Sequence, residues 1–218
     1  MHLIRNIKTG LIEALYVHIP KTAGTHVRLG FDNHPDYEVI YISDYFESDK
    51  LGKGSIQAKE VLGSQISHLT ITQAFDYYPN LETWIADNDI DVFTIVRDPY
   101  ERFVSCFKFL PVIMRVCPWR EEPFVKKNQD IISGLLCSQS TYITHNNKIC
   151  ARIIKLKDIT KTKFEIIKGV TVDFRLKSNS HHYAMNHFNA EFLDFELTPE
   201  NKKFCEYLWA DDINSPHI

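Results

Sequence analysis

The 218-residue chain contains no C-x-x-C pair: its five cysteines, Cys106, Cys117, Cys137, Cys150 and Cys205, are odd in number and widely spaced. This argues against a thiolate zinc site and fits scattered thiols in a reducing compartment, where a buried cysteine packs as a small hydrophobe. No charge of one sign dominates: 25 Lys and Arg stand against 28 Asp and Glu, a net charge of -3, whereas a nucleic-acid binder usually carries a basic excess. Long hydrophobic runs are missing as well. "FVSCFKFLPVIMRVCPW" contains Lys108 and Arg115 and is too short to span a bilayer. "MHLIRNIKTGLIEALYVHI" is interrupted by Arg5, Lys8 and Glu13, unlike the apolar core of a signal peptide. These absences lead to the expectation of a soluble, cytoplasmic chain without a membrane segment. There is no repeat, low-complexity tract or linker-like shift in composition, so residues 1–218 are expected to form a single domain. The Walker A pattern G-x-x-x-x-G-K-[ST] is absent too, which argues against a P-loop kinase.

The sequence does contain an alternation of apolar strands and amphipathic helices, with 44% hydrophobic residues, enough for a packed core. Residues 13–19 (EALYVHI), 37–42 (YEVIYI), 91–96 (DVFTIV) and 151–156 (ARIIKL) read as strands. A helix is expected from about Thr25, a loop with a short helix over 43–64, and helices in "ITQAFDYY" and "LETWIADN". "PYERFVSCFKFL" has a well-signalled start: Asp98 as cap, Pro99 in the first helical position, and Glu101 completing a D-x-x-E capping box. "TPENKKFCEYLWADDI" reads as a C-terminal helix capped by Thr198, with Pro199 in its first turn. Alternating strands and helices predict an α/β fold of three layers around a central parallel sheet.

Two loops carry the chemistry. "VHIPKTAGTH", residues 17–26, follows a strand and opens a helix, at the strand edge where parallel sheets bind ligands. Backbone N–H groups of the loop and of the helix N-terminus favour an anion. Gly24 lets the backbone approach it, Thr22 and Thr25 offer hydroxyls, and Lys21 adds a full charge. The alternative is an ordinary βα turn with a surface lysine. "TIVRDPYERFVSCFKF", residues 94–109, ends the later strand with Arg97 and places Ser105 two turns into the next helix. A guanidinium fork and a hydroxyl suit a phosphate. The alternative is an Arg97–carboxylate bridge with Ser105 as a packing residue. Phe103, Phe107 and Phe109 read as core rather than as a binding platform.

Together, H-I-P-K-T-x-G-T and R-D-P-x-x-R-x-x-S resemble the two phosphate sites of the PAPS-dependent sulfotransferases, and more closely those of the carbohydrate group, heparan- and chondroitin-type. Looser similarities extend across the chain, in "SHLTITQAFDYY", "SQSTYI", "LKSNSHHY" and the last helix. The chain departs from the group at His26, where many members have serine, and at 155–159, where it reads Lys-Leu-Lys-Asp-Ile instead of a glutamate-containing segment.

The resemblance implies a P-loop-NTPase-like sulfotransferase architecture. It also implies the donor 3'-phosphoadenosine 5'-phosphosulfate (PAPS), with no metal and with a hydroxyl acceptor on a glycan. Lys21, Thr22, Ala23, Gly24, Thr25 and His26 would hold the 5'-phosphosulfate, and Arg97 and Ser105 the 3'-phosphate; Asn179 and Ser180 would close over the nucleotide. Lys21 would stabilise the leaving group, since sulfuryl transfer depends on positioning and electrostatics. An acceptor hydroxyl needs a base, and His68 is the first choice: it matches a histidine of the group, and an unperturbed imidazole titrates near pH 6.5. A histidine that merely holds a loop is the alternative reading. Glu60 is the second candidate base, and His18 or His26 could touch the donor. The adjacent His181 and His182 lack spaced partners for a metal and read as loop residues. The competing function is a nucleotide-binding module without catalysis; tyrosine or a small alcohol are the alternative acceptors.

Overall fold

The computed structural model describes residues 1–46, 67–116, 132–159, 163–173 and 194–218. Within them the strands are β1 (His2–Asn6), β2 (Ile12–Val17), β3 (Tyr37–Tyr41), β4 (Asp91–Val96), β5 (Thr144–His145), β6 (Lys148–Ile149), β7 (Arg152–Lys155), β8 (Lys163–Ile167) and β9 (Val170–Asp173). Five of them form the central sheet in the order β3-β1-β2-β4-β7. Strands β2, β4 and β7 pair in parallel, whereas β1 is antiparallel to both β2 and β3. The sheet is therefore mixed, and the expected parallel sheet is corrected by one strand, β1, that the sequence reading did not foresee. The reason is the link between β1 and β2. Residues 7–11 form a tight turn in which the Asn6 side chain accepts from the Lys8 and Thr9 N–H groups, and Gly10 takes φ 71°. A turn that short can only return the chain antiparallel.

The helices are α1 (Gly24–Asp32), α2 (Ile42–Phe46), α3 (Ile71–Tyr77), α4 (Leu81–Asp87), α5 (Pro99–Val116), α6 (Gln139–Ile143), α7 (Leu156–Ile159), α8 (Pro199–Leu208) and α9 (Ala210–Ile213). Period-two alternation in the strands loads both faces of the sheet. Leu3, Leu15 and Val17 pack with Ile42, Phe46, Ile71, Leu81 and Ile143, which belong to α2, α3, α4 and α6. Ile4, Ala14, Tyr16 and Phe93 pack on the opposite face with Val27 and Phe31 of α1, Ile159 of α7, and Ile166 and Val172 of the β8–β9 hairpin. The result is an α/β structure in three layers, one of which mixes helices with a hairpin. Each fully buried aliphatic or aromatic side chain here contributes roughly 1.5–3 kcal/mol. α1 lies close on the hairpin: a Cβ at Gly30 would sit 2.3 Å from Val172 Cγ1.

α5 starts as its sequence predicts, with Asp98 Oδ1 accepting from the Glu101 N–H at 3.0 Å. Glu101 itself turns to Arg97, their side chains pairing at 3.1 Å. α8 is capped by Thr198, which accepts from the Asn201 N–H, with Pro199 in its first turn. The single C-terminal helix expected over 198–213 is broken at Trp209, which ends α8 and precedes α9. That indole is fully buried in a third cluster with Phe103, Cys106, Leu135 and Cys205, and donates to the Leu136 carbonyl. Burying the ring overrides continuous helix. Among the described residues no helix is long and apolar enough to cross a membrane.

Candidate functional site

Because β2 and β4 are adjacent and parallel, with Val17 beside Thr94, the segments that follow them leave the sheet at the same edge. Thr94 ties the strand ends together by donating its hydroxyl to the Val17 carbonyl at 2.8 Å.

After β2 the chain makes an abrupt turn. Lys21 and Ala23 both adopt left-handed backbone, at φ 67° and 75°. Each non-glycine residue in that region costs on the order of 1–3 kcal/mol, a strain that clusters at ligand clamps. α1 then begins at Gly24 with no side-chain cap and no acidic residue in its first turn. Its N-terminal N–H groups and dipole face a loop that carries Lys21. Thr25 is exposed at this end. Thr22 is fully buried and donates its hydroxyl to the Ile19 carbonyl at 2.9 Å. This corrects the expectation for Thr22: its hydroxyl proton pins the loop, and only its backbone N–H remains for an anion. His26 is also redefined. Its N–H closes the first turn onto the Ala23 carbonyl, and its half-buried ring is held towards the neutral form by desolvation.

Lys21 is half-buried, with its ammonium 3.9 Å from the centre of the Phe109 ring. Burial lowers its pKa to about 8, and the charge of Arg97 acts in the same direction. Phe109 packs against the core cluster as expected and also seats the lysine; Phe103 is fully buried core, and half-buried Phe107 packs at a tilt beside it.

His18 does not reach into the loop. Its ring lies beneath Gly24, so close that a Cβ on Gly24 would fall 1.7 Å from His18 Nε2. Glycine is needed here for that close approach. On the other side of His18 sits His68, with ring centroids 4.3 Å apart. His68 Nδ1 is 3.1 Å from the His18 carbonyl, which can only accept, so Nδ1 carries the proton and Nε2 keeps its lone pair. Burial lowers the His68 pKa to about 4 against the pull of that hydrogen bond, with the Lys21 charge adding to the effect. The unperturbed titration near pH 6.5 expected for His68 is thus corrected downward. The residues after it hold it rigidly: Leu69 is buried in the core, and Thr70 caps α3 in a reciprocal box with Gln73. His68 also lines a cleft of about 880 Å³ between α3 and residues 133–144.

Arg97 lies at the end of β4, its side chain held by Glu101 and 28% exposed. Its main chain is gripped at both ends by Gln139, whose amide accepts from the Arg97 N–H at 2.9 Å and donates to its carbonyl at 2.8 Å. Gln139 is fully buried, and its own N–H donates to Asp212 at 2.7 Å; Asp212 also accepts from the N–H and hydroxyl of Ser140. Ser105 is half-buried on α5, four residues beyond Glu101.

Arg102 is fully buried and donates to the carbonyls of Pro20, Cys137 and Leu135 while its guanidinium lies over Trp209. It joins the lysine loop to the Arg97 helix. Gln139, Asp212 and Arg102, which hold these segments together, are not singled out by the sequence reading. Arg102 stood in the R-D-P-x-x-R segment and Gln139 in "SQSTYI", but neither pattern discloses a hydrogen bond to a distant main chain.

The structure thus gathers Lys21, Arg97 and His68 at one sheet edge, with Gly24, Thr25 and the start of α1 beside them. Asn179, Ser180, Glu60, His181 and His182 lie outside the described residues. Among the described residues no cluster of three His, Cys, Asp or Glu side chains could hold a metal ion. Comparison with known proteins finds no matching family model, no matching curated protein and no matching solved structure.

Proposed function

We propose that the chain is a PAPS-dependent sulfotransferase of P-loop-NTPase-like architecture, transferring the sulfuryl group to an acceptor hydroxyl on a carbohydrate. The observation that supports this most is the convergence of two anion-suited segments at the ends of adjacent parallel strands. One is an uncapped helix N-terminus with a half-buried lysine; the other carries an arginine whose main chain is clamped. A neutral histidine is tied behind the first segment and opens onto a cleft.

In this reading the acceptor oxygen attacks sulfur in line with the 5'-phosphate oxygen. The S–O bond to that phosphate breaks, and its electron pair stays on the phosphate beside Lys21 and the N–H groups of α1. The acceptor proton passes to His68 Nε2, the nitrogen left unprotonated by the bond to the His18 carbonyl. Arg97 and Ser105 hold the 3'-phosphate. The Arg97–Glu101 pair is exposed enough to be worth no more than about 1 kcal/mol, so a phosphate can take over the guanidinium.

Calorimetry with 3'-phosphoadenosine 5'-phosphate (PAP) and ATP, followed by turnover of labelled PAPS on a panel of glycans, tests the reading. PAP should bind and ATP should not, and label should appear in an acceptor. ATP binding as tightly as PAP would sink the donor assignment. PAP binding without transfer to any acceptor would leave a nucleotide-binding module.

A further inference from the structure

The cleft beside His68 has a chemistry of its own. At about 880 Å³ it has the size of an ordinary small-ligand site. The wall is more apolar than polar, and the short hydroxyl and amide side chains of Thr70, Thr72, Gln73, Ser133 and Thr141 are set into it. Gln73 spends its amide oxygen on the Thr70 N–H, which leaves the amide hydrogens directed to other partners. Tyr77 adds a half-buried aromatic ring. Among the described lining residues there is no lysine or arginine, and Asp211 supplies the one carboxylate. An anionic polysaccharide would bring carboxylates or sulfates against Asp211, and the described wall residues include no cation to meet them. A neutral sugar fits both features, since its hydroxyls pair with short polar side chains and with a carboxylate, and its C–H face packs on an aromatic ring.

We infer that this cleft is the acceptor site and that it selects an uncharged saccharide over a uronate- or sulfate-bearing chain. The inference rests on the sulfotransferase reading only for the word acceptor; the choice of ligand follows from the cleft wall.

The test measures saccharide binding separately from transfer. Saturation-transfer NMR with the full chain would compare a neutral hexosamine oligosaccharide with a uronate-containing chain of equal length, at low ionic strength. The neutral probe should bind and the uronate chain should bind at least tenfold more weakly. Ser133→Trp, at an exposed position on the wall, should abolish binding of the neutral probe while PAP binding is unchanged. Asp211→Lys, also exposed, should strengthen the uronate chain by about fivefold, as expected for reversing one screened charge. Equal or tighter binding of the uronate chain to the unmodified protein would overturn the inference. So would failure of the neutral probe to bind, or its binding unaltered by Ser133→Trp. If PAP does not bind but the neutral probe does, the donor assignment fails and the cleft specificity stands.

Discussion

Three histidines in contact make stability strongly dependent on pH. His2 is 5% exposed and packs against His18 and Tyr41, with ring centroids 5.4 and 5.0 Å away; His18 in turn packs on His68. Burial, reinforced by the neighbouring positive groups, lowers the pKa of His2 to about 2, of His68 to about 4, and of His18 well below the usual range. The folded protein keeps all three neutral at pH 5, whereas the unfolded chain protonates them below about 6.5. The unfolded state then binds more protons, so stability present above pH 6.5 is lost as pH falls. Between pH 7 and 5, His2 and His68 each favour unfolding by about 2 kcal/mol, together about 4 kcal/mol, and His18 acts in the same direction. That is comparable with the whole stability of a small domain, about 5–15 kcal/mol. Urea unfolding followed by tryptophan fluorescence at pH 7, 6 and 5 would measure the loss. His2→Phe, which keeps a ring between Tyr41 and His18, should reduce the slope by about one third, because each titrating group contributes at most roughly 1.4 kcal/mol per pH unit. Stability that is flat from pH 7 to 5, or histidine NMR titrations near 6.5 in the folded protein, would refute the reasoning.

Turnover should fall above pH 8 as Lys21 loses its proton, a limb that Lys21→Ala removes together with roughly 10²–10³-fold of the rate; near-normal turnover in that variant would refute the role. His68→Ala should cut the rate by about 10²–10⁴-fold and leave PAP affinity intact by calorimetry, whereas a parallel loss of affinity would assign His68 to the scaffold. Gly24→Ala must displace the His18 ring, so thermal unfolding should register about 1–3 kcal/mol of destabilisation and the His68 NMR resonances should shift. Gln139→Leu unpairs the N–H and carbonyl of Arg97, which should cost about 2–4 kcal/mol in urea unfolding and weaken nucleotides that carry a 3'-phosphate more than those lacking one.

What the sequence determined by itself was whatever has a local cause. Residues 91–96 form β4 because the five consecutive apolar or β-branched residues from Val92 to Val96 suit a strand buried on both faces. α5 and α8 begin where Asp98, Pro99, Thr198 and Pro199 satisfy the first turn from within a few residues. The loop over 20–26 was legible as a strand-to-helix turn because it lies between an apolar strand run and the start of a helix. What only the tertiary structure decided depends on partners far along the chain. β1 carries no strand signal stronger than its polar interruptions, and it exists because it pairs with β2 on one side and β3 on the other. The left-handed backbone at Lys21 and Ala23 is imposed on residues that would not choose it. Gly24 reads as the place where the backbone approaches an anion, yet its missing Cβ is the space that His18 fills. The lowered pKa of His68 follows from burial and from the charges of Lys21 and Arg102, and the hold on Arg97 from residues 139 and 212. Hydrogen bonds and desolvation act over a few ångströms in space, and no spacing along a sequence encodes which distant residues will come that close.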